Sequence, residues 1–269
     1  MEKFIDVDKI LKDKNPNIAK WMPKFVVKYL KKVLHQNEIN QILTNKKGLN
    51  GVEFSKAILS DFNNKTQAIG LENIPKTGGV ILACNHPLGG MDALILIQEI
   101  SKVRTDFKFV VNDVLLNLKN LQDVFVGVNK YGNNSKTSLN ELNELFASNQ
   151  AVVVFPAGLV SRKFGKEVKD LEWKKTFITR AKKFNRDVIP VYIDGKLSNF
   201  FYRLYKIRKF FGVKANVELF YLIDETLKQK NKKYKVFFGK PIKYTKFDKS
   251  KSDKDWAEEV KKMTYKQIN

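Results

Sequence analysis

The chain has 269 residues, 43% of them hydrophobic, enough to bury a sizeable core, and this excludes wholesale disorder. Lysine and arginine number 50 against 28 acids, a net charge of +22, so the expected partners are anionic: lipid headgroups, nucleic acid or an acidic protein. One cysteine, Cys84, excludes an internal disulfide and fits a reducing compartment, and two histidines, His35 and His86, leave little material for a zinc site, so no metal is expected.

The opening stretch Met1–Lys14 carries Glu2, Asp6, Asp8 and Asp13 and has no apolar h-region, so no export signal is read. No segment reaches the roughly 20 apolar residues of a spanning helix. The expected location is cytoplasmic, with any membrane contact peripheral and on the inner face.

Residues 1–62 read as an N-terminal helical segment and residues 63–269 as an α/β domain. Pro23 can open a helix carrying Phe25, Val26, Tyr29, Leu30, Val33 and Leu34 at helical spacing, with Lys24, Lys28, Lys31 and Lys32 between them. Two accounts of this helix stay open. It packs on a core with a solvated lysine face, or it lies in a membrane interface, with Trp21 and Phe25 in the acyl boundary and the four lysines on anionic headgroups at about 1 kcal/mol each. Phe54, Ile58, Leu59 and Phe62 form a second amphipathic pattern.

From Gly78 strands alternate with helices. Strands are predicted at 80–83, 107–111, 124–128, 151–155, 188–193, 217–223 and 234–238. Helices are predicted at 93–103, 173–184 and 255–263, and one opening on a capping box from Ser138 to Glu141. The lysine-rich stretches 228–233 and 243–254 read as solvated connections. The alternation predicts an α/β fold, a mainly parallel or mixed sheet covered by helices.

Three segments stand out chemically. Cys84-Asn85-His86-Pro87-Leu88-Gly89-Gly90-Met91-Asp92 follows a buried strand and enters a helix, the place where α/β sheets build sites. Its proline and glycines allow a turn that brings Asp92 back to His86, where a carboxylate on one imidazole nitrogen makes the other a better base. Against this stands the plainer account of a polar turn with a capping Asp92. Phe155-Pro156-Ala157-Gly158-Leu159-Val160-Ser161-Arg162-Lys163 ends another strand. Gly158 allows close backbone approach, and Ser161, Arg162 and Lys163 offer donors to an anion, or the segment is a basic loop. Val188-Ile189-Pro190-Val191-Tyr192-Ile193 holds a proline, which favours an edge strand or a bulge.

In this order, the segments resemble the glycerolipid acyltransferase family, whose members include lysophosphatidic acid and glycerol-3-phosphate acyltransferases. Asn85, His86 and Asp92 match its first block, Phe155, Pro156 and Gly158 its Phe-Pro-Glu-Gly block, and 188–193 its apolar block. Phe237-Phe238-Gly239-Lys240-Pro241-Ile242 is similar to a strand near the family's C-terminus. The likeness spans roughly residues 70–245. Five residues separate His86 from Asp92, one more than the family pattern, and Ala157 stands where the family has glutamate. Lys130 stands near the place of a phosphate-binding arginine. The loop looks like a variant of bacterial lipid acyltransferases acting on lyso-aminolipids such as ornithine or glycine lipids.

The resemblance implies an O-acyltransferase that moves a fatty acyl group from acyl carrier protein or acyl-CoA to a lysolipid hydroxyl, with no further cofactor. His86 is then the general base and Asp92 its orienting partner. Asn85, Gly158, Ser161, Arg162, Lys163 and Lys130 bind substrate, and backbone N–H groups near Gly158 stabilise the oxyanion. Other readings are a catalytically silent lipid-binding protein of the same fold, a thioester hydrolase using water, or a basic nucleic-acid-binding module. No helix-turn-helix, RNP or zinc-finger pattern supports the last, so no specific nucleic acid is expected. His35 reads as surface or packing, Cys84 as a small buried hydrophobe, and Asp170 and Glu172 as solvated loop. The aromatic, basic run from Phe200 to Phe211 caps the core or touches lipid.

Overall fold

The computed structural model describes residues 6–14, 20–128 and 136–268. In chain order the helices are α1 (Val7–Lys14), α2 (Lys24–Val33), α3 (Gln36–Asn45), α4 (Gly51–Asp61), α5 (Gly90–Ile100), α6 (Lys136–Ala147), α7 (Thr176–Lys183), α8 (Asn199–Phe210), α9 (Leu222–Leu227) and α10 (Asp253–Tyr265). The strands are β1 (Lys65–Ile69), β2 (Val80–Cys84), β3 (Phe107–Asn112), β4 (Phe125–Val128), β5 (Ala151–Val154), β6 (Arg162–Phe164), β7 (Glu167–Lys169), β8 (Asp187–Ile193) and β9 (Lys233–Phe238). The chain divides into two compact units, residues 50–196 with 231–269, and residues 1–49 with 197–230.

The larger unit holds a seven-stranded sheet in the order β1-β9-β8-β2-β5-β3-β4. All neighbouring strands run parallel except β8 and β9. The fold is therefore α/β with a mostly parallel sheet flanked by helices, the class expected. Every residue of β2 and β5 is buried, which is why both strands are uninterrupted apolar runs; a parallel strand covered on both faces has no solvent side. On one face Ile81, Ala83, Val152 and Val154 pack with Phe146 of α6, Ile178 of α7 and Trp256 of α10. Helix α5 is buried nearly all round, from Met91 to Ile97, and packs against α4. Helix α4 falls in the stretch read as the N-terminal segment, but Phe54, Ile58 and Leu59 bury its apolar face within the sheet unit.

Several local expectations change. Pro190 does not mark an edge strand: β8 lies between β2 and β9. Its missing N–H falls where the β8–β9 ladder, Val191–Ile193 against Val236–Phe238, gives way to a single bridge between Val188 and Ile242. Gly239 makes room there, since a Cβ on it would stand 2.8 Å from the proline ring. The helix expected from Ser138 begins earlier, at Lys136, so Ser138 is not its cap. The helix expected from Trp173 begins at Thr176. Strand β1, with only alternate residues half-buried, and the short β6–β7 hairpin were not foreseen, because neither carries an apolar run.

The smaller unit is helical. The strand expected over 217–223 is a 3₁₀ turn, Val217–Tyr221, followed by α9. The apolar run reads as extended in isolation, but two fully buried acids find partners on α8 when the segment coils. Glu218 pairs with Arg208 at 2.8 Å, and Glu225 accepts both N–H and hydroxyl bonds from Ser198 at 2.6 Å. Helix α2 buries none of its residues completely, and Trp21 and Phe25 are 85% and 74% exposed. Lys31 pairs with Asp8 at 2.5 Å, while Lys24, Lys28 and Lys32 are exposed. His35 links α2 to α3 at φ 45° and bonds Glu38 at 3.1 Å and Asp224 at 3.0 Å, a packing role. Among the described residues no helix is long and apolar enough to cross a membrane.

Candidate active site

The loop after β2 is held before it is shaped. Asn85 continues the strand's pairing through its side chain: its amide nitrogen donates to the Ile193 carbonyl at 3.0 Å, and its oxygen accepts from the Ile193 N–H at 2.7 Å. It is 2% exposed with both amide ends engaged, so its place is to pin the loop to β8 rather than to touch a ligand. The chain then turns at Gly89, whose φ of 70° and ψ of −127° lie in a region open to glycine and strained for other residues. From this turn α5 starts at Gly90.

Asp92, in the first turn of α5, therefore points back into the loop. Its Oδ2 accepts from the Leu88 N–H at 2.9 Å and lies 2.9 Å from His86 Nδ1. The carboxylate is fully buried, whereas the His86 side chain keeps 19% of its surface. Burial pushes the Asp92 carboxyl above its ordinary value, and the bond and charge of His86 with the Leu88 N–H oppose that rise. With Nδ1 occupied, Nε2 is the ring's remaining nitrogen, and among the described residues no protein group bonds it. The ring stacks on Phe155, centroids 4.3 Å apart and planes 28° apart, which removes another degree of freedom.

A second buried carboxylate holds the same histidine from its backbone. Asp170 Oδ1 accepts from the His86 N–H at 3.2 Å and from the Ser161 hydroxyl at 2.5 Å, and its Oδ2 accepts from the Trp173 indole at 2.8 Å. The Asp170 N–H donates to the Tyr265 hydroxyl at 2.8 Å, and the Ser161 N–H donates to the His86 carbonyl at 2.8 Å. Burial raises the Asp170 carboxyl, against the pull of its donors. The solvated-loop account of Asp170 is thus corrected; its sequence signal was slight, an acid three residues before a tryptophan that is buried in the loop ahead of α7. Glu172 is the solvated one, exposed and paired with Lys254 at 2.8 Å. Cys84 is completely buried, and burial, with Asp92 and Asp170 nearby, pushes its thiol well up, the state of an inert thiol.

The second loop is partly structural. Ser161 is buried on Asp170. The Arg162 side chain is fully buried and donates to the Val160 and Ser161 carbonyls, which places it inside the protein rather than on an open anion site. Gly158 is exposed at φ 63°, but its N–H already donates to the Phe155 carbonyl at 2.9 Å, so it is no oxyanion donor as it stands. The Lys174 ammonium lies beside Gly158, within 3.7 Å of where a Cβ would sit, and Lys163 is half-exposed. Lys130 lies outside the described residues. A cavity of about 430 Å³ elsewhere in this unit is lined by Pro190, Lys240, Met263 and neighbours and includes none of these residues. Among the described residues no three His, Cys, Asp or Glu side chains converge to hold a metal ion.

The geometry is an imidazole held at Nδ1, stacked on a phenyl ring, backed by a buried carboxylate, and placed at the carboxyl end of a parallel strand. The sequence matches the family described as acyltransferase over residues 9–269. It is 44% identical over 264 residues to the lyso-glycine lipid O-acyltransferase of Bacteroides thetaiotaomicron, covering 98% of this chain and 97% of that protein. It is 42% identical to the lyso-glycine lipid O-acyltransferase of Phocaeicola vulgatus, covering 98% and 95%. The crystal structure of the 1-acyl-sn-glycerophosphate acyltransferase from Thermotoga maritima shares the fold, with a TM-score of 0.50 at 17% identity, covering 89% of this chain and 95% of that one. By a match running through both the loop of His86 and the sheet that carries it, the chain belongs to the acyltransferase family.

Proposed function

We propose that this acyltransferase moves a fatty acyl group onto the hydroxyl of a lysolipid, a lyso-glycine lipid being the acceptor that its relatives' names suggest. The observation that carries the reading is the 2.9 Å pairing of His86 Nδ1 with buried Asp92, which leaves Nε2 without a protein partner. Nε2 takes the proton of the acceptor hydroxyl as that oxygen attacks the thioester carbonyl of acyl carrier protein or acyl-CoA. The C–S bond then breaks, and the proton on the imidazolium passes to the departing thiolate. Asp92 keeps the ring in the tautomer with Nδ1–H and stabilises the imidazolium. General-base help of this kind contributes about 10²–10⁴-fold.

The accessible cations of the second loop, Lys163 and Lys174, are the groups that meet an anionic part of donor or acceptor; buried Arg162 shapes the loop between them. Trp21, Lys24, Phe25, Lys28, Lys31 and Lys32 form an edge that meets an anionic membrane, where the acceptor resides, and the protein is peripheral on the inner face. The surplus of cations also steers an acidic carrier protein.

The test is His86→Ala against wild type, with acyl carrier protein and acyl-CoA donors and a panel of lysolipids that includes lyso-glycine lipid. Transfer should drop by at least the general-base factor. Undiminished transfer by the alanine variant removes the mechanism, and thioester loss without an acylated lipid product assigns hydrolysis instead.

A further inference from the structure

Helix α8 is apolar on two opposite faces. Inward, Phe201 and Tyr202 are buried, and Arg208 is buried on Glu218. Outward, Phe200, Ile207, Phe210 and Phe211 recur at i, i+7, i+10 and i+11, and they are 47%, 55%, 85% and 71% exposed. A helix that meets only water carries polar side chains there, and four large apolar groups on one stripe exceed scattered exposure.

The charge beside the stripe has one sign. Residues 199–217 contain no acid, and Arg203, Lys206, Lys209 and Lys214 are all exposed. The stripe also continues onto α2 within the same unit. Phe200 meets Tyr221 edge to face at 5.0 Å, the Tyr221 hydroxyl bonds that of Tyr29, and Phe25, one turn before Tyr29 on α2, is exposed as well.

We propose that α8 is an interfacial anchor. Phe210 and Phe211 enter the acyl boundary of an anionic bilayer, and Arg203, Lys206, Lys209 and Lys214 bind its headgroups. The proposal rests on the reading above that the protein works at a membrane, and adds to it a second, more deeply inserting element. An acidic carrier protein would satisfy the cations and leave both phenyl rings in water. A bilayer covers rings and charges together, because its apolar and anionic layers lie a few ångströms apart.

The experiment uses the full chain with vesicles of phosphatidylcholine, alone or mixed with phosphatidylglycerol. Phe210→Glu combined with Phe211→Glu should weaken sedimentation with the anionic vesicles by about a hundredfold, roughly tenfold per buried ring. Transfer to a short-chain, water-soluble lysolipid should stay at the wild-type rate. Phe210→Trp combined with Trp21→Phe, which keeps the surface apolar and leaves Trp173 and Trp256 buried as the other indoles, should shift its emission to the blue on anionic vesicles and be quenched by brominated acyl chains. Wild-type vesicle binding by the double variant overturns the anchor, as does a tryptophan that stays in water on the bound protein. Loss of acyl carrier protein binding with intact vesicle binding overturns it too and assigns the stripe to the carrier. A wild type that binds vesicles but acylates no lysolipid leaves the anchor standing and removes the acyl-transfer reading instead.

Discussion

Oδ2 of Asp92 lies 2.9 Å from Nδ1 of His86, although five residues and a helix start separate them in the chain. The same oxygen receives the Leu88 N–H at 2.9 Å, so the carboxylate holds both the ring and the loop that carries it. Asp92→Asn keeps the shape and removes the charge. An amide oxygen in place of Oδ2 still receives Leu88, but it no longer offsets an imidazolium. Transfer should fall by about 10³–10⁴-fold in kcat/KM. Activity within about tenfold of wild type would detach Asp92 from the chemistry.

The same variant has a stability signature. Burial raises the Asp92 carboxyl above its ordinary value of 3.8. Between that value and the higher native one, the folded protein keeps a proton that the unfolded chain has released. Stability contributed by this group is therefore greatest below 3.8 and is lost as pH rises through the native value. Asp92→Asn removes that loss, so its Tm should decline less than that of wild type as pH rises from 4 upward, measured by calorimetry. Parallel curves for the two proteins would mean that the buried carboxylate carries no such cost.

Asp170 acts on His86 through the backbone, so it is a positioning residue. Asp170→Asn must turn an amide N–H₂ toward either Trp173 or the Ser161–His86 pair, leaving a donor facing a donor. The expected cost is about 1–3 kcal/mol of stability. Displacement of the ring should lower kcat while KM for the acyl donor holds. A lower Tm with wild-type kcat would make Asp170 a purely structural group.

Gly89 is the hinge that lets α5 begin with its acid facing the histidine. Gly89→Ala places a Cβ at φ 70°, ψ −127°, at a cost of about 1–3 kcal/mol. If the turn relaxes to relieve this, Asp92 leaves His86, and activity should fall further than Tm alone accounts for. Gly90→Ala, with no atom within 4 Å of the added methyl, is the matched control and should behave as wild type.

The lysine edge of α2 can be tested apart from the aromatic stripe of α8. Reversing Lys24, Lys28 and Lys32 to glutamate should weaken binding to anionic vesicles at physiological salt by about a hundredfold or more, given about 1 kcal/mol per cation. Lys31 is weaker evidence because it already pairs with Asp8. Undiminished, salt-sensitive binding by the triple variant would place the electrostatic contact elsewhere.

The α/β class, the strands that carry the site loops and the pairing of His86 with Asp92 were legible in the order of residues alone. These are local matters: an apolar run such as Val80–Cys84 has one stable use, and a glycine turn after a buried strand brings its ends together. The acyltransferase resemblance was legible for the same reason, because the ordered blocks lie at strand ends. What distant segments do to each other depends on long-range packing. Asp170 is 84 residues from His86 and reaches it because β6, β7 and the loop before α7 fold back over the site. Arg162 and Ser161 read as open anion ligands, but they are buried among acceptors that no spacing announces. Residues 217–223 coil because Glu218 needs Arg208, and α8 shows an apolar outer stripe only once its inner face is known. Periodicity names the residues that share a face; which face meets protein and which meets solvent is settled by packing, whose contacts span the whole chain.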